Sequence, residues 1–115
     1  MAFLKFRIDF LQEELDEMRD AVVKAEAGKV DANTAADDVV DALIDLCVVA
    51  IGTLDAYNVN SYIAWNKVYE ANMAKEVGVK ASRPNPLGLP DLVKPEGWVA
   101  PSHKDNVGLI VKAFE

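Results

Sequence analysis

Proline is absent from the first 83 residues: Pro84, Pro86, Pro90, Pro95 and Pro101 all fall in one later stretch. Helix interiors exclude proline, so the early part of the chain is free to be continuously helical and the later part is marked as irregular. Cysteine is almost absent too. Cys47 stands alone in an apolar run, which rules out an intrachain disulfide and predicts a small buried hydrophobe. No stretch reaches the ~18 uninterrupted apolar residues of a membrane span, and MAFLKFRIDF turns acidic too early for a secretory leader. The expectation is a cytoplasmic protein that does not engage a membrane.

Positive charge is the third scarcity. With 12 basic against 19 acidic side chains and a net charge of −7, the chain lacks the basic face that a phosphate backbone requires, which argues against a nucleic-acid binder. The imbalance is local: residues 1–57 carry 13 acidic and 5 basic side chains, whereas residues 58–115 carry 6 and 7. A chain of 115 residues is a single small domain by length, and with half its residues hydrophobic it can bury only a thin core. Apolar faces left over from such a core predict self-association, as a homodimer or homotetramer.

What is present is helical periodicity. Phe10, Leu11, Leu15, Met18 and Val22 form a stripe at 3.6-residue spacing, predicting a helix over about 4–27 that stops at Gly28. A second helix is expected from a cap at Asn33 or Thr34 to about Tyr57, with Val39, Val40, Leu43, Leu46, Val49, Ala50 and Leu54 on its apolar side. Asn58 suits a left-handed terminus and Asn60 a cap for the third helix. That helix, SYIAWNKVYEANMAKEV, is expected to stop near Gly78 and to bury Tyr62, Trp65, Tyr69 and Met73. A long loop over 79–101 and a short last helix from Ser102 or His103 to Phe114 complete the reading. The fold class is all-α: an antiparallel bundle of three long helices (body 1–83), with a proline-rich tail and short last helix (84–115) in the same domain, completed by oligomerisation.

Two acidic clusters sit inside these helices. Glu13, Glu14 and Glu17 lie together on the first, and Asp38, Asp41 and Asp45 share a face of the second. Single acids on helices are ordinarily solvated, and Glu26, Asp31, Asp55 and Glu76 are read that way. Asp41 and Asp45, however, alternate with Leu43, Ile44, Leu46 and Cys47, and burial of an uncompensated carboxylate is costly. No lysine or arginine adjoins them in sequence. A hard divalent cation with oxygen ligands, Mg²⁺ or else Mn²⁺, answers that repulsion. Cations held between carboxylates clamp a polyphosphate, and a further glutamate can activate water. Arg83, Lys94, Trp98, His103 and Lys104 occupy or border the tail, where Trp98 either stacks on a base or packs against the bundle; His103 is read as a cap or surface residue.

With these residues in place, the chain resembles the MazG-like all-α nucleotide pyrophosphohydrolases, which include the phosphoribosyl-ATP pyrophosphohydrolases. Glu13-Glu14-x-x-Glu17 matches the family's first acidic element; Asp38, Asp41 and Asp45 stand for the second, with Ala42 where many members have glutamate. VYEANMAKE resembles an Asn-Met-x-Lys signature of phage and bacterial members, often followed by a tail similar to KPEGWVAPSH. The resemblance implies hydrolysis of a nucleoside triphosphate at the α–β linkage, in the host cytoplasm if the chain is phage-encoded. It implies Glu14, Glu17, Asp38, Asp41 and Asp45 as metal ligands, with the aspartates not individually assigned. Glu13 becomes a ligand or the water-activating base, while Asn72 and Lys75 bind phosphate or metal-bound water; apart from the resemblance, the tail's aromatic and cationic residues offer Arg83 and Trp98 as candidate substrate contacts. Phosphoribosyl-ATP and ppGpp are alternative substrates on the same site, and a non-catalytic helical dimerisation module is the alternative to an enzyme.

Overall fold

A computed structural model describes all 115 residues. Its elements in chain order are α1 (Ala2–Glu26), α2 (Ala32–Ala56), α3 (Ser61–Met73), the short strands β1 (Glu76–Gly78) and β2 (Asp91–Val93), and a 3₁₀ helix over Gly108–Phe114. The chain is mostly helical, as its periodicity predicts. It divides into two compact units, Met1–Val59 with Gly108–Glu115, and Asn60–Val107.

The first unit is built on an α1/α2 antiparallel hairpin. Its turn begins with a Schellman closure: Gly28 takes φ 69°, its N–H donates to the Ala25 carbonyl, and Lys29 N–H donates to that of Lys24. Asp31 then caps α2, its carboxylate accepting from Thr34 N–H at 2.7 Å. The cap therefore lies ahead of Asn33 and Thr34, because a carboxylate at Asp31 reaches the orphan amide at the third helical position. Asn58 closes α2 in the same way as Gly28, with φ 57° and Val59 N–H donating to Leu54 O.

The helices meet along a seam with a seven-residue repeat. Leu4, Arg7, Leu11, Glu14, Met18, Ala21 and Ala25 line it on α1, and Ala35, Val39, Ala42, Leu46, Val49 and Thr53 on α2. Ala21 and Ala42 are the most buried residues, at 4% and 2% exposure, and side chains this small let the two backbones approach closely. At the open end of the hairpin the 3₁₀ helix docks by Leu109 N–H donating to Tyr57 O at 2.7 Å. Gly108 makes this approach possible: it takes φ 52°, and a β-carbon there would lie 2.1 Å from the same carbonyl.

In the second unit Asn60 caps α3 through Ile63 N–H, as expected. Three expectations are corrected. First, α3 ends at Met73, and Glu76–Gly78 pairs antiparallel with Asp91–Val93, Glu76 opposite Val93. The valines of VGV favour extended backbone, and the pairing satisfies backbone groups that a longer helix would have used. Second, the last helix begins at Gly108 and is 3₁₀, since Ser102–Val107 is held as a turn by Asn106 N–H donating to His103 O and by the Asn60–Asn106 bonds. Third, Tyr62, Trp65, Tyr69 and Met73 form a solvent-facing stripe, Tyr62 at 75% and Trp65 at 69% exposure. Cys47 is likewise exposed, because α2 turns that side away from the seam.

Candidate active site

The acidic clusters follow from where the seam falls. Residues flanking Glu14 and Ala21 on α1, and Ala42 and Leu46 on α2, project to one side of the hairpin. Glu17, Asp38 and Asp41 therefore line one cleft of about 220 Å³ with Asp20, Ala21 and Lys24. Asp45 lies within electrostatic range of Glu14. Glu13 turns outward into a separate groove with Phe6, Asp9, Phe10, Gln12 and Asp16.

Glu14 is the anomaly. It occupies a seam position, half-buried, and its Oε2 is shielded from solvent without a hydrogen-bond partner. Burial, then repulsion from Glu17 and Asp45, a hydrogen bond shared with Glu17, and the charge of Glu13 together hold its carboxyl above the ordinary value of 4.5. The cleft itself holds one cation: Lys24, four residues from Asp20, pairs with it at 2.8 Å. Its ammonium is held above its ordinary pKa by Asp20, with a further contribution from Asp38. This local compensation is directed at Asp20, with a weaker reach to Asp38, and leaves Glu14 alone. The i,i+4 spacing of Asp20 and Lys24 was the signal for it. Arg7, also missed, occupies the same seam two turns before Glu14.

An orphaned buried carboxylate oxygen among further carboxylates is a donor set that fits a hard divalent cation in kind. The side chains are not drawn to one point: no three acidic, histidine or cysteine groups converge at ligand spacing.

Asn72, Lys75, Arg83 and Trp98 belong to the second unit. Asn72 is exposed in the last turn of α3, and its carbonyl accepts from Lys75 N–H. Trp98 donates its indole N–H to Ala71 O at 2.8 Å, and the ammonium groups of Lys75 and Lys94 lie 5.2 and 5.1 Å from its ring centroid. Arg83 is engaged by Asp91, whose carboxyl that contact holds below the usual range.

Residues 2–72, spanning α1, α2 and most of α3, match the model of the family described as phosphoribosyl-ATP pyrophosphohydrolase. The chain belongs to this family. It is therefore a pyrophosphohydrolase of the MazG-like superfamily, a hydrolase acting on phosphoric anhydride bonds. No curated protein and no solved structure matches significantly. The family match includes all six carboxylates of the two clusters and ends before Lys75, Arg83 and Trp98. No helix of this pyrophosphohydrolase is long and apolar enough to cross a membrane.

Proposed function

We propose that the protein is a Mg²⁺-dependent nucleoside triphosphate pyrophosphohydrolase, with Mn²⁺ as a substitute ion, releasing a nucleoside monophosphate and pyrophosphate. The observation that carries this reading is the unpartnered Glu14 oxygen in the seam, next to Glu17 and Asp45, in a chain of this family. Glu14, Glu17 and Asp45 would hold the cation, with Asp38 and Asp41 as further candidate ligands. A divalent ion supplies polarisation of phosphate oxygens and a more acidic bound water. Glu13, whose charge reaches Glu14 although its side chain lines the neighbouring groove, would have to swing inward to take the proton from the attacking water. The new bond forms between that water's oxygen and one phosphorus of the α–β linkage; the P–O bond from that phosphorus to the bridging oxygen breaks, and its electron pair stays on that oxygen, which leaves as part of the other product, monophosphate or pyrophosphate.

Asn72 and Lys75 are carried over from the family resemblance as phosphate-binding candidates, Lys75 as a point charge. Trp98 acts in this scheme as a positioning residue, because its ring lies under the Lys75 ammonium while its N–H anchors it to α3. Arg83, paired with Asp91, serves substrate by shaping the 83–91 turn. Phosphoribosyl-ATP is the second reading, favoured by the family whose model matches.

The test is pyrophosphate release from the nucleoside triphosphates, their deoxy forms, ppGpp and phosphoribosyl-ATP, with Mg²⁺, Mn²⁺ or EDTA. Metal-dependent release from a triphosphate supports the proposal, and release from phosphoribosyl-ATP alone selects the second reading. Silence across the panel, together with no thermal shift on adding metal, returns the hairpin to a non-catalytic role.

A further inference from the structure

Two lysines of the second unit converge without a counter-charge. The β1/β2 ladder sets Glu76 opposite Val93, and the same register carried one step past its end sets Lys75 opposite Lys94. Side chains directly opposite one another in an antiparallel pair share a face, and like charges placed there repel. The ammonium groups do meet: both lie over the Trp98 ring, at 5.2 and 5.1 Å from its centroid.

The ring is fixed in place beneath them. Pro95–Trp98 is a turn closed by Trp98 N–H donating to Pro95 O at 3.0 Å, with Gly97 at φ 78° in its third position. That turn doubles the chain back toward Lys94, and the indole N–H is held by Ala71 O at 2.8 Å. An aromatic face attracts an ammonium through its quadrupole but carries no net charge, so two cations over one ring remain uncompensated. Neither Lys75 nor Lys94 has an ion-pair partner, although Lys75 is half-buried. Other basic groups of this unit are settled. Lys67 pairs with Asp105 at 2.9 Å and donates to Ser102 O, and Arg83 is engaged by Asp91.

We infer that Lys75 and Lys94 together bind a pyrophosphoryl group, with Trp98 as the positioning residue that holds both ammonium groups at one spot. Each ammonium is a compact charge with three donors, so two of them match the two phosphoryl groups of one anhydride. Trp98 also lines a cavity of about 690 Å³ with Ala71, Ala74 and Pro101, but Glu70 and Glu96 share that lining and repel an anion. The two lysines do not line it, so the anion belongs with them at the mouth of the ladder. Lys94 thus becomes a second phosphate contact beside Lys75. Which molecule brings the group, a nucleoside triphosphate that releases pyrophosphate, rests on the catalytic reading above; the clamp itself does not.

The experiment is titration of the full chain with inorganic pyrophosphate in EDTA, followed by calorimetry and by Trp98 fluorescence in a Trp65→Phe background. Saturable binding with a shift in Trp98 emission is expected, tighter than for inorganic phosphate at the same ionic strength. Lys94→Ala and Lys75→Ala should each weaken it roughly tenfold, the loss of one charge-assisted contact, while keeping the helical circular dichroism. Lys94→Arg, which keeps the charge, should restore most of the affinity. Absence of saturable binding to the wild type overturns the inference, as does unchanged affinity in Lys94→Ala. Binding that leaves Trp98 emission unmoved puts the anion elsewhere and overturns it too. Should Lys94→Ala fail to fold, Lys94→Gln, which keeps most of the aliphatic stem, takes its place. A chain that hydrolyses triphosphates without binding pyrophosphate in EDTA defeats only this clamp. One that binds pyrophosphate and hydrolyses nothing defeats only the catalytic proposal.

Discussion

Arg7 and Glu14 occupy the same stripe of α1, seven residues apart, and receive opposite treatment. Arg7 donates to Thr53 Oγ1 at 2.9 Å and to Val49 O at 3.0 Å, and its guanidinium lies over the rings of Phe3 and Phe10. Gly52 keeps room for it, since a β-carbon there would sit 3.1 Å from one guanidinium nitrogen. Two turns on, Glu14 has one oxygen without a partner and is surrounded by carboxylates. One level of the seam is settled within the protein, whereas the other is left in conflict. Unrelieved conflict at a packed position is how a site differs from a core.

Removing the conflict should have the largest effect. Glu14→Gln is expected to lower pyrophosphate release at least a thousandfold and to remove metal-induced thermal stabilisation, while raising the melting temperature of the metal-free protein. Retained turnover would end the assignment of Glu14. Removing the settled member should do the reverse: Arg7→Ala should cost roughly 2–3 kcal/mol in urea unfolding, from two lost hydrogen bonds to the guanidinium and its aromatic contacts. Its turnover at temperatures where it stays folded should change much less than that of Glu14→Gln.

The comparison also has a pH signature. Because the Glu14 carboxyl titrates above its ordinary value, the folded state takes up a proton that the unfolded state does not. Metal-free stability should therefore rise as pH falls from neutrality toward 4.5, with that contribution fully present below it. Thermal melts of Glu14→Gln should lack this rise. At lower pH the opposite trend takes over, as Asp31, Asp91 and Asp105, held below their ordinary pKa by hydrogen bonds to Thr34 N–H, Arg83 and Lys67, become protonated and lose those contacts. The smallest effect is expected from Thr53→Val, about 1 kcal/mol, because Arg7 keeps the Val49 carbonyl.

The sequence makes α1 and α2 legible because their periodicity is long, and it makes the carboxylates legible because residues three, four and seven apart share a face whatever packs against them. It does not reveal that Glu14 itself falls in the packing seam, since that depends on which of two adjacent stripes meets the partner helix. The same ambiguity turned the stripe of Tyr62, Trp65, Tyr69 and Met73 from an expected core into exposed surface: periodicity defines a face without naming what covers it. Strands of three residues carry no readable alternation, so β1 and β2 could not be anticipated. The indole of Trp98 gave no sign in sequence of the Ala71 carbonyl that holds it, 27 residues away.

The chain leaves the hairpin unit after Val59 and re-enters it at Gly108. Two hydrogen bonds between Asn60 and Asn106, one in each direction, pinch the base of the intervening excursion shut. Topologically the segment is a cassette: its two ends emerge side by side, so it can be excised or exchanged for one of another length without rethreading the helices that carry the carboxylates. A graft across Val59 and Gly108 asks of its replacement only that its termini meet.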